Sequence, residues 1–208
     1  MIVPNRKRPL SSLSNFVMSI SAFMSCTMSG SILRRVGGLN VSSTIDFNPS
    51  RTYLFLSNHQ SRLDPFITYG GLSARELWAC LPTRPLTGKP IYYGPLYLWL
   101  KSMGCYPTKN RAHTVPQTVN YLEAGYPVFV FPEGRRTLQS ESNPKDGTRL
   151  ILDEIRRRDL DITVVLVHIE WERPYRHFRK ATVRMREAHP AIYTQDMPDI
   201  MRMIYEIL

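Results

Sequence analysis

A histidine and an aspartate separated by four residues stand in the run Asn58-His59-Gln60-Ser61-Arg62-Leu63-Asp64-Pro65, directly after the apolar stretch Arg51 to Ser57. If the chain turns tightly there, the Asp64 carboxylate can hold one ring nitrogen of His59 and fix its tautomer. The other nitrogen is then free to act as a base. Pro65 favours the turn, because a residue preceding proline is biased away from helical angles. The placement also matters, since active sites of open α/β sheets gather beyond the carboxyl ends of strands. A lone His–Asp pair is common in purely structural settings, so it needs a second feature beside it.

That feature is Phe131-Pro132-Glu133-Gly134-Arg135-Arg136-Thr137, again immediately after an apolar run, Pro127 to Phe131. Gly134 allows the backbone to approach a ligand, and Arg135 and Arg136 can neutralise a phosphate. Alone, the run reads as an ordinary strand-to-loop turn with solvated arginines. Together the two loops describe a base beside an anion site.

The elements that must position these loops alternate along the chain. Arg51 to Ser57, Pro127 to Phe131 and Ile162 to Ile169 read as buried strands, Cys105 to Thr108 as a short strand, and Ala181 to Met185 as a half-exposed one. Helices are expected over Pro65 to Leu72, Ser73 to Leu81, Gly94 to Met103, from Thr114 (with Pro116 in the first turn) to Gly125, from Asp146 or Thr148 to Arg158, and over Pro198 to Leu208. The stretch from Pro82 to Pro90 reads as a loop. Strands alternating with helices predict an α/β class: a single domain with a central, mostly parallel or mixed sheet flanked by helices.

Composition agrees. The chain has 208 residues, 43% of them apolar and 21% charged, which is enough to fill one core and too ordinary for a disordered chain. No short unit repeats, which excludes solenoids and propellers. Cys26, Cys80 and Cys105 cannot all be bridged and suit a reduced, cytosol-facing protein. No metal-ligand cluster is visible, so no metal is expected.

The formal net charge is +10, and charge of that size attracts polyanions, anionic lipid headgroups or phosphorylated substrates. Arg6, Lys7, Arg8, Arg34 and Arg35 all precede the first acidic residue, Asp46, and a second cluster runs from Arg173 to Arg186. Between the N-terminal basic groups, Leu13, Phe16, Val17, Ile20, Phe23, Met24, Met28 and Ile32 fall at helical spacing on one face. Ser14, Ser19, Ser21, Ser25 and Ser29 tend to lie away from it. A cleaved signal peptide would want a smoother apolar core, and a helix packed on its own domain fits the same spacing. The preferred reading is an amphipathic helix lying on a membrane. Residues 1–39 are accordingly expected to form a basic, membrane-associating segment, and residues 40–208 the catalytic domain.

The two loops together resemble the lysophosphatidic acid acyltransferase family, glycerophospholipid acyltransferases marked by NHxxxxD and FPEGTR blocks. Asn58, His59 and Asp64 match the first block. Phe131 to Arg136 match the second, with Arg135 in place of the usual threonine. Lys89, Pro95, Leu96 and Gly104 resemble the family's intermediate stretch, and Lys145 with Gly147 its later FKxG element. The family's intermediate block ends in a phosphate-contacting arginine, where this chain has Asn110 between Lys109 and Arg111, and the proline-containing fourth block is absent.

The resemblance implies a reaction and its parts. His59 would take the proton from an acceptor hydroxyl as that oxygen attacks a thioester carbonyl, with Asp64 orienting the ring. Asn58, Lys89, Lys109, Arg111, Glu133, Gly134 and Arg136 would bind substrate, chiefly the acceptor's phosphate and polar head. The acceptor would be a lysophospholipid, 1-acyl-glycerol-3-phosphate first, giving phosphatidic acid. The cosubstrate would be acyl-CoA or acyl-acyl-carrier-protein, with no permanently bound cofactor. The expected partners are membrane lipids and, for the donor, acyl carrier protein. The alternatives, less favoured, are acylation of a different lysolipid acceptor, a non-catalytic lipid- or polyanion-binding protein on the same fold, and nucleic-acid binding at the Arg173 to Arg186 cluster. The expected location is the cytoplasmic face of the inner or plasma membrane.

Overall fold

The structure, a computed structural model, describes residues 12–36, 38–61, 63–136, 144–172 and 180–207. Expectations resting on Arg6, Lys7, Arg8, Arg62, Thr137, Arg173, Arg176 and Arg179 lie outside the described residues.

The elements, in chain order, are α1 (Leu13–Val36), β1 (Leu39–Ser43), β2 (Thr52–Ser57), α2 (Asp64–Gly70), α3 (Ala74–Ala79), β3 (Arg84–Thr87), α4 (Lys89–Tyr92), α5 (Tyr97–Ser102), β4 (Tyr106–Pro107), α6 (Arg111–Glu123), β5 (Val128–Val130), α7 (Asp146–Arg157), β6 (Ile162–Trp171), β7 (Ala181–Glu187), a 3-10 turn (Pro190–Thr194) and α8 (Met197–Tyr205). They form one α/β domain around a seven-stranded sheet of order β1-β7-β6-β2-β5-β3-β4.

Direction decides where chemistry can collect. β6, β2, β5, β3 and β4 are mutually parallel, β7 runs antiparallel to β6, and β1 is parallel to β7. The carboxyl ends of β2, β3, β4, β5 and β6 therefore lie along one edge of the sheet. The two segments singled out by type and spacing follow β2 and β5, which are direct neighbours in register, Leu54 opposite Val128 and Leu56 opposite Val130.

The central strands β2, β5 and β6 are buried on both faces over most of their length, as parallel strands joined by crossover helices must be. Alternation along β2 sends Tyr53 and Phe55 to one side with Phe129, Val165, Val167 and Ile169, under α2, α3 and α5. Leu54 and Leu56 go to the other side with Val128, Val130, Val164 and Leu166, under α6, α7 and α8. Each fully buried large side chain contributes about 1.5–3 kcal/mol.

Four local expectations are corrected. The stretch Pro82 to Pro90 contains the strand β3, not a loop alone. Its partners β4 and β5 are distant in sequence, so pairing overrides the prolines that argue against a strand. β1 and α4 were not foreseen. Helix α6 starts three residues before Thr114. Asn110 is its N-cap, accepting from the His113 N–H at 3.1 Å, while Thr114 Oγ1 accepts the Lys109 N–H at 2.8 Å. Pro116 sits inside that helix, past its first turn. Among the turns, Gly104 at φ +82° closes the helical stretch that ends with α5, as its position suggested.

Helix α1 inverts the usual rule of large residues inward. Its buried face is Asn15, Ser19, Ala22, Cys26 and Gly30, all small or polar. A Cβ on Gly30 would lie 2.1 Å from the Gly70 carbonyl oxygen, and one on Gly70 2.7 Å from that of Cys26, so α1 and α2 cross in backbone contact. Further bonds tie α1 down: Arg84 Nη2 to Asn15 Oδ1 (3.1 Å), Ser21 Oγ with Ser102 Oγ (2.8 Å) and Trp99 Nε1 to Ser25 Oγ (3.2 Å). Residues 13–36 thus pack closely on the sheet-bearing part of the chain. Its opposite face leaves Leu13, Phe16, Val17, Ile20, Met24, Met28 and Ile32 exposed. Phe23, expected on that face, is half-buried instead, edge-on to Trp78 with centroids 5.9 Å apart. No helix among the described residues is long and apolar enough to cross a membrane.

Candidate active site

His59 and Asp64 meet. Nδ1 of His59 lies 2.9 Å from Oδ2 of Asp64, which is fully buried, while the histidine side chain stays 16% exposed. The aspartate also accepts the main-chain N–H of Gln60 and of Ser61 at Oδ2, both at 2.7 Å, and the indole Nε1–H of Trp171 at Oδ1, 2.8 Å. Four donors thus converge on one carboxyl group, with the imidazole contact filled by Nδ1–H. The Nε2 lone pair is then left for a proton in transit. Phe131 stacks on the His59 ring with centroids 3.9 Å apart, fixing its plane from the other loop.

Two residues expected at the substrate do a different job. Asn58 is buried, and its side-chain amide pairs both ways with Ile169, donating to the carbonyl and accepting the N–H, each at 2.7 Å. It extends the β2–β6 ladder past Ser57 through a side chain. Glu133 is also fully buried: Oε2 accepts the His59 N–H and Oε1 the Tyr205 hydroxyl, both at 2.8 Å. A buried carboxylate already holding two protein donors joins the loops rather than facing an acceptor.

The remaining expected residues are exposed along the same edge of the sheet. Lys89 opens α4 after β3, Lys109 follows β4, and Gly134, Arg135 and Arg136 follow β5. Gly134 has φ +64°, a conformation that favours glycine, and a Cβ there would stand 3.1 Å from Lys145 Nζ. Lys145 therefore joins this basic rim, and its N–H donates to the Pro132 carbonyl at 2.9 Å. Arg111 stands within 3.3 Å of Asp146, an exposed pair of the weak surface kind. Asn110, at the position of the family's arginine, is occupied as a helix cap.

No cysteine is suited to nucleophilic work. All three are buried, and burial pushes the thiols up, to about 12 for Cys26 and about 11 for Cys105, with Cys80 also raised. Among the described residues no group of three His, Cys, Asp or Glu could hold a metal ion. Sequence reasoning missed Trp171, Phe131 as a stacking partner and Tyr205. The first lies 107 positions from Asp64 and two residues past the strand expected over Ile162 to Ile169, and it gave no signal.

The fold and this edge define an acyl-transferring enzyme. A model of the acyltransferase family matches residues 38–195, and the chain belongs to that family. Among solved structures it is similar to the crystal structure of the 1-acyl-sn-glycerophosphate (LPA) acyltransferase PlsC from Thermotoga maritima, at 12% identity and a TM-score of 0.61, over 91% of this chain and 76% of that one. No curated protein sequence matches this chain significantly.

Proposed function

We propose that the enzyme moves a fatty acyl chain from an acyl-CoA or acyl-acyl-carrier-protein thioester to the hydroxyl of a lysophospholipid, 1-acyl-glycerol-3-phosphate first, with phosphatidic acid as product. The observation that carries this reading is the His59–Asp64 pair set at a sheet edge rimmed by exposed Lys89, Lys109, Arg135, Arg136 and Lys145. A base beside a rim of exposed cations suits an acceptor with both a hydroxyl and a phosphate. His59 Nε2 takes the hydroxyl proton as the acceptor oxygen attacks the thioester carbonyl, and Asp64 stabilises the imidazolium. The tetrahedral intermediate then expels the thiolate, which receives that proton from His59, leaving ester and free thiol. Removing Arg136 tests the anion rim. Arg136→Ala is expected to raise the KM of a phosphate-bearing acceptor about tenfold or more with kcat little changed, the loss of a charge-assisted hydrogen bond. Unchanged constants with every phosphorylated acceptor would remove Arg136 from the site.

A long-chain acceptor resides in a bilayer, and the apolar outer face of α1 supports docking on its cytoplasmic surface. That face continues across α5, whose Leu98 is 76% exposed, since Trp99 bonds to Ser25 of α1 and stacks on Phe66 at 5.1 Å. Phe66 lies two residues after Asp64, so the apolar face borders the site. The exposed arginines Arg34 and Arg35 end α1, and each basic residue near an anionic leaflet contributes about 1 kcal/mol. Because α1 also closes the domain, deleting it would uncover Gly70 and its neighbours. Outward substitutions are the cleaner test. Ile20→Asn with Met24→Asn and Met28→Asn is expected to lower partitioning onto anionic vesicles at least about tenfold, from the lost apolar burial. Activity should fall on bilayer-embedded acceptor and hold on a short-chain, water-soluble one. Unchanged partitioning would place membrane contact elsewhere.

A further inference from the structure

We infer that Tyr205, in the last turn of α8 and beyond the residues matched by the family model, is a positioning residue that aims His59 through Glu133. The inference rests on the proposed role of His59 as the base. Its chain of contacts is short: the Tyr205 hydroxyl donates to Glu133 Oε1, and Glu133 Oε2 accepts the main-chain N–H of His59 itself, each link 2.8 Å. Glu133 is fully buried, and these two donors sit on its two oxygens, one each. Buried carboxylates depend on such donors. The carboxyl group is therefore held from both sides, by the loop it steers and by a helix anchored elsewhere.

That helix is well fixed. Ile200, Met201 and Ile204 of α8 are buried in the core, and Asp196 caps it, accepting from the Asp199 N–H at 2.9 Å. The Tyr205 ring stands edge-on to His168 of β6, with centroids 5.7 Å apart and planes at 75°. His168 is buried and its Nδ1 has no hydrogen-bond partner among the described residues. Burial lowers its pKa below the ordinary histidine value, so it meets the tyrosine as a neutral ring. The hydroxyl is thus aimed by packing. Without it, Glu133 Oε1 loses this donor inside the protein, the carboxyl group can turn, and the N–H of His59 loses its fixed acceptor. The imidazole then shifts against Phe131 and Asp64, and small misplacements of a reacting group are costly in rate. Tyr205 does this without touching donor or acceptor.

Tyr205→Phe keeps the ring on His168 and removes only the hydroxyl. Per folded molecule, kcat is expected to fall about tenfold, with the acceptor KM within about twofold, because binding groups are untouched. In a Glu133→Leu background, which has no polar group to link the two, the same substitution should change kcat less than about twofold, since the route is already cut. NMR-detected hydrogen exchange at the His59 amide should quicken about tenfold in Tyr205→Phe, with the amides of Ile162–Trp171 unchanged. Turnover and His59 exchange equal to those of the unmodified protein would overturn the inference, as would a kcat loss of equal size in the Glu133→Leu background. Exchange needs no substrate. If the unmodified protein acylates no lysophospholipid, the proposed function fails while the exchange result still decides the role of Tyr205.

Discussion

His59→Ala is expected to lower acyl transfer about a thousandfold while leaving the protein folded, within the 10²–10⁴ range that a positioned general base contributes. The side chain is partly exposed and its one described hydrogen bond is to Asp64. After its removal Asp64 keeps the N–H groups of Gln60 and Ser61 and the Trp171 indole, so the loop stays closed. Steady-state transfer of labelled acyl groups, beside a thermal unfolding curve, checks both halves. A rate within tenfold of the unmodified protein would mean that the proton leaves by another route.

Asp64→Asn is expected to damage activity and stability together. The carboxyl group faces only donors, and an amide must turn its NH2 toward some of them. Turned toward Trp171 it opposes the indole N–H; turned toward His59 it opposes two main-chain N–H groups and calls for a lone pair on Nδ1. The second arrangement moves the imidazole proton to Nε2, where the base is needed, a tautomer error of a kind worth about 10⁴ in rate. Breaking a fully buried polar network costs about 3–5 kcal/mol, which for a chain of this size lowers the melting temperature by about 10 °C. A variant with normal melting temperature would show that the four hydrogen bonds contribute little. Normal turnover would remove Asp64 from the mechanism.

The two variants differ because His59 is partly exposed while Asp64 is fully buried among donors. Spacing alone brought His59 and Asp64 together, because a turn of four residues is local and Pro65 constrains it. The continuous apolar runs of β2, β5 and β6 were legible for the same reason: a doubly covered strand needs no alternation. Tertiary partners were not. Asn58 and Glu133 have residue types that bind ligands, and only the sheet order shows them turned inward, onto Ile169 and onto the His59 loop. Arg84 to Thr87 looked like a loop because its strand character comes from β4 and β5 rather than from its own composition. In α1 the periodicity located the outward apolar face, Phe23 excepted, but gave no sign of how the inner side packs. Close approach of Gly30 and Gly70 lets the small side pack inward and leaves the large side out.

Acid-quenched single turnover with a labelled acyl thioester is the most direct test of direct, base-assisted transfer to a lysophospholipid. Label is expected to pass straight to the lysophospholipid hydroxyl, matched one to one by released thiol, with none retained on the protein at any time. Label accumulating on the protein before product, or released as free fatty acid whether or not lysophospholipid is present, would contradict the account.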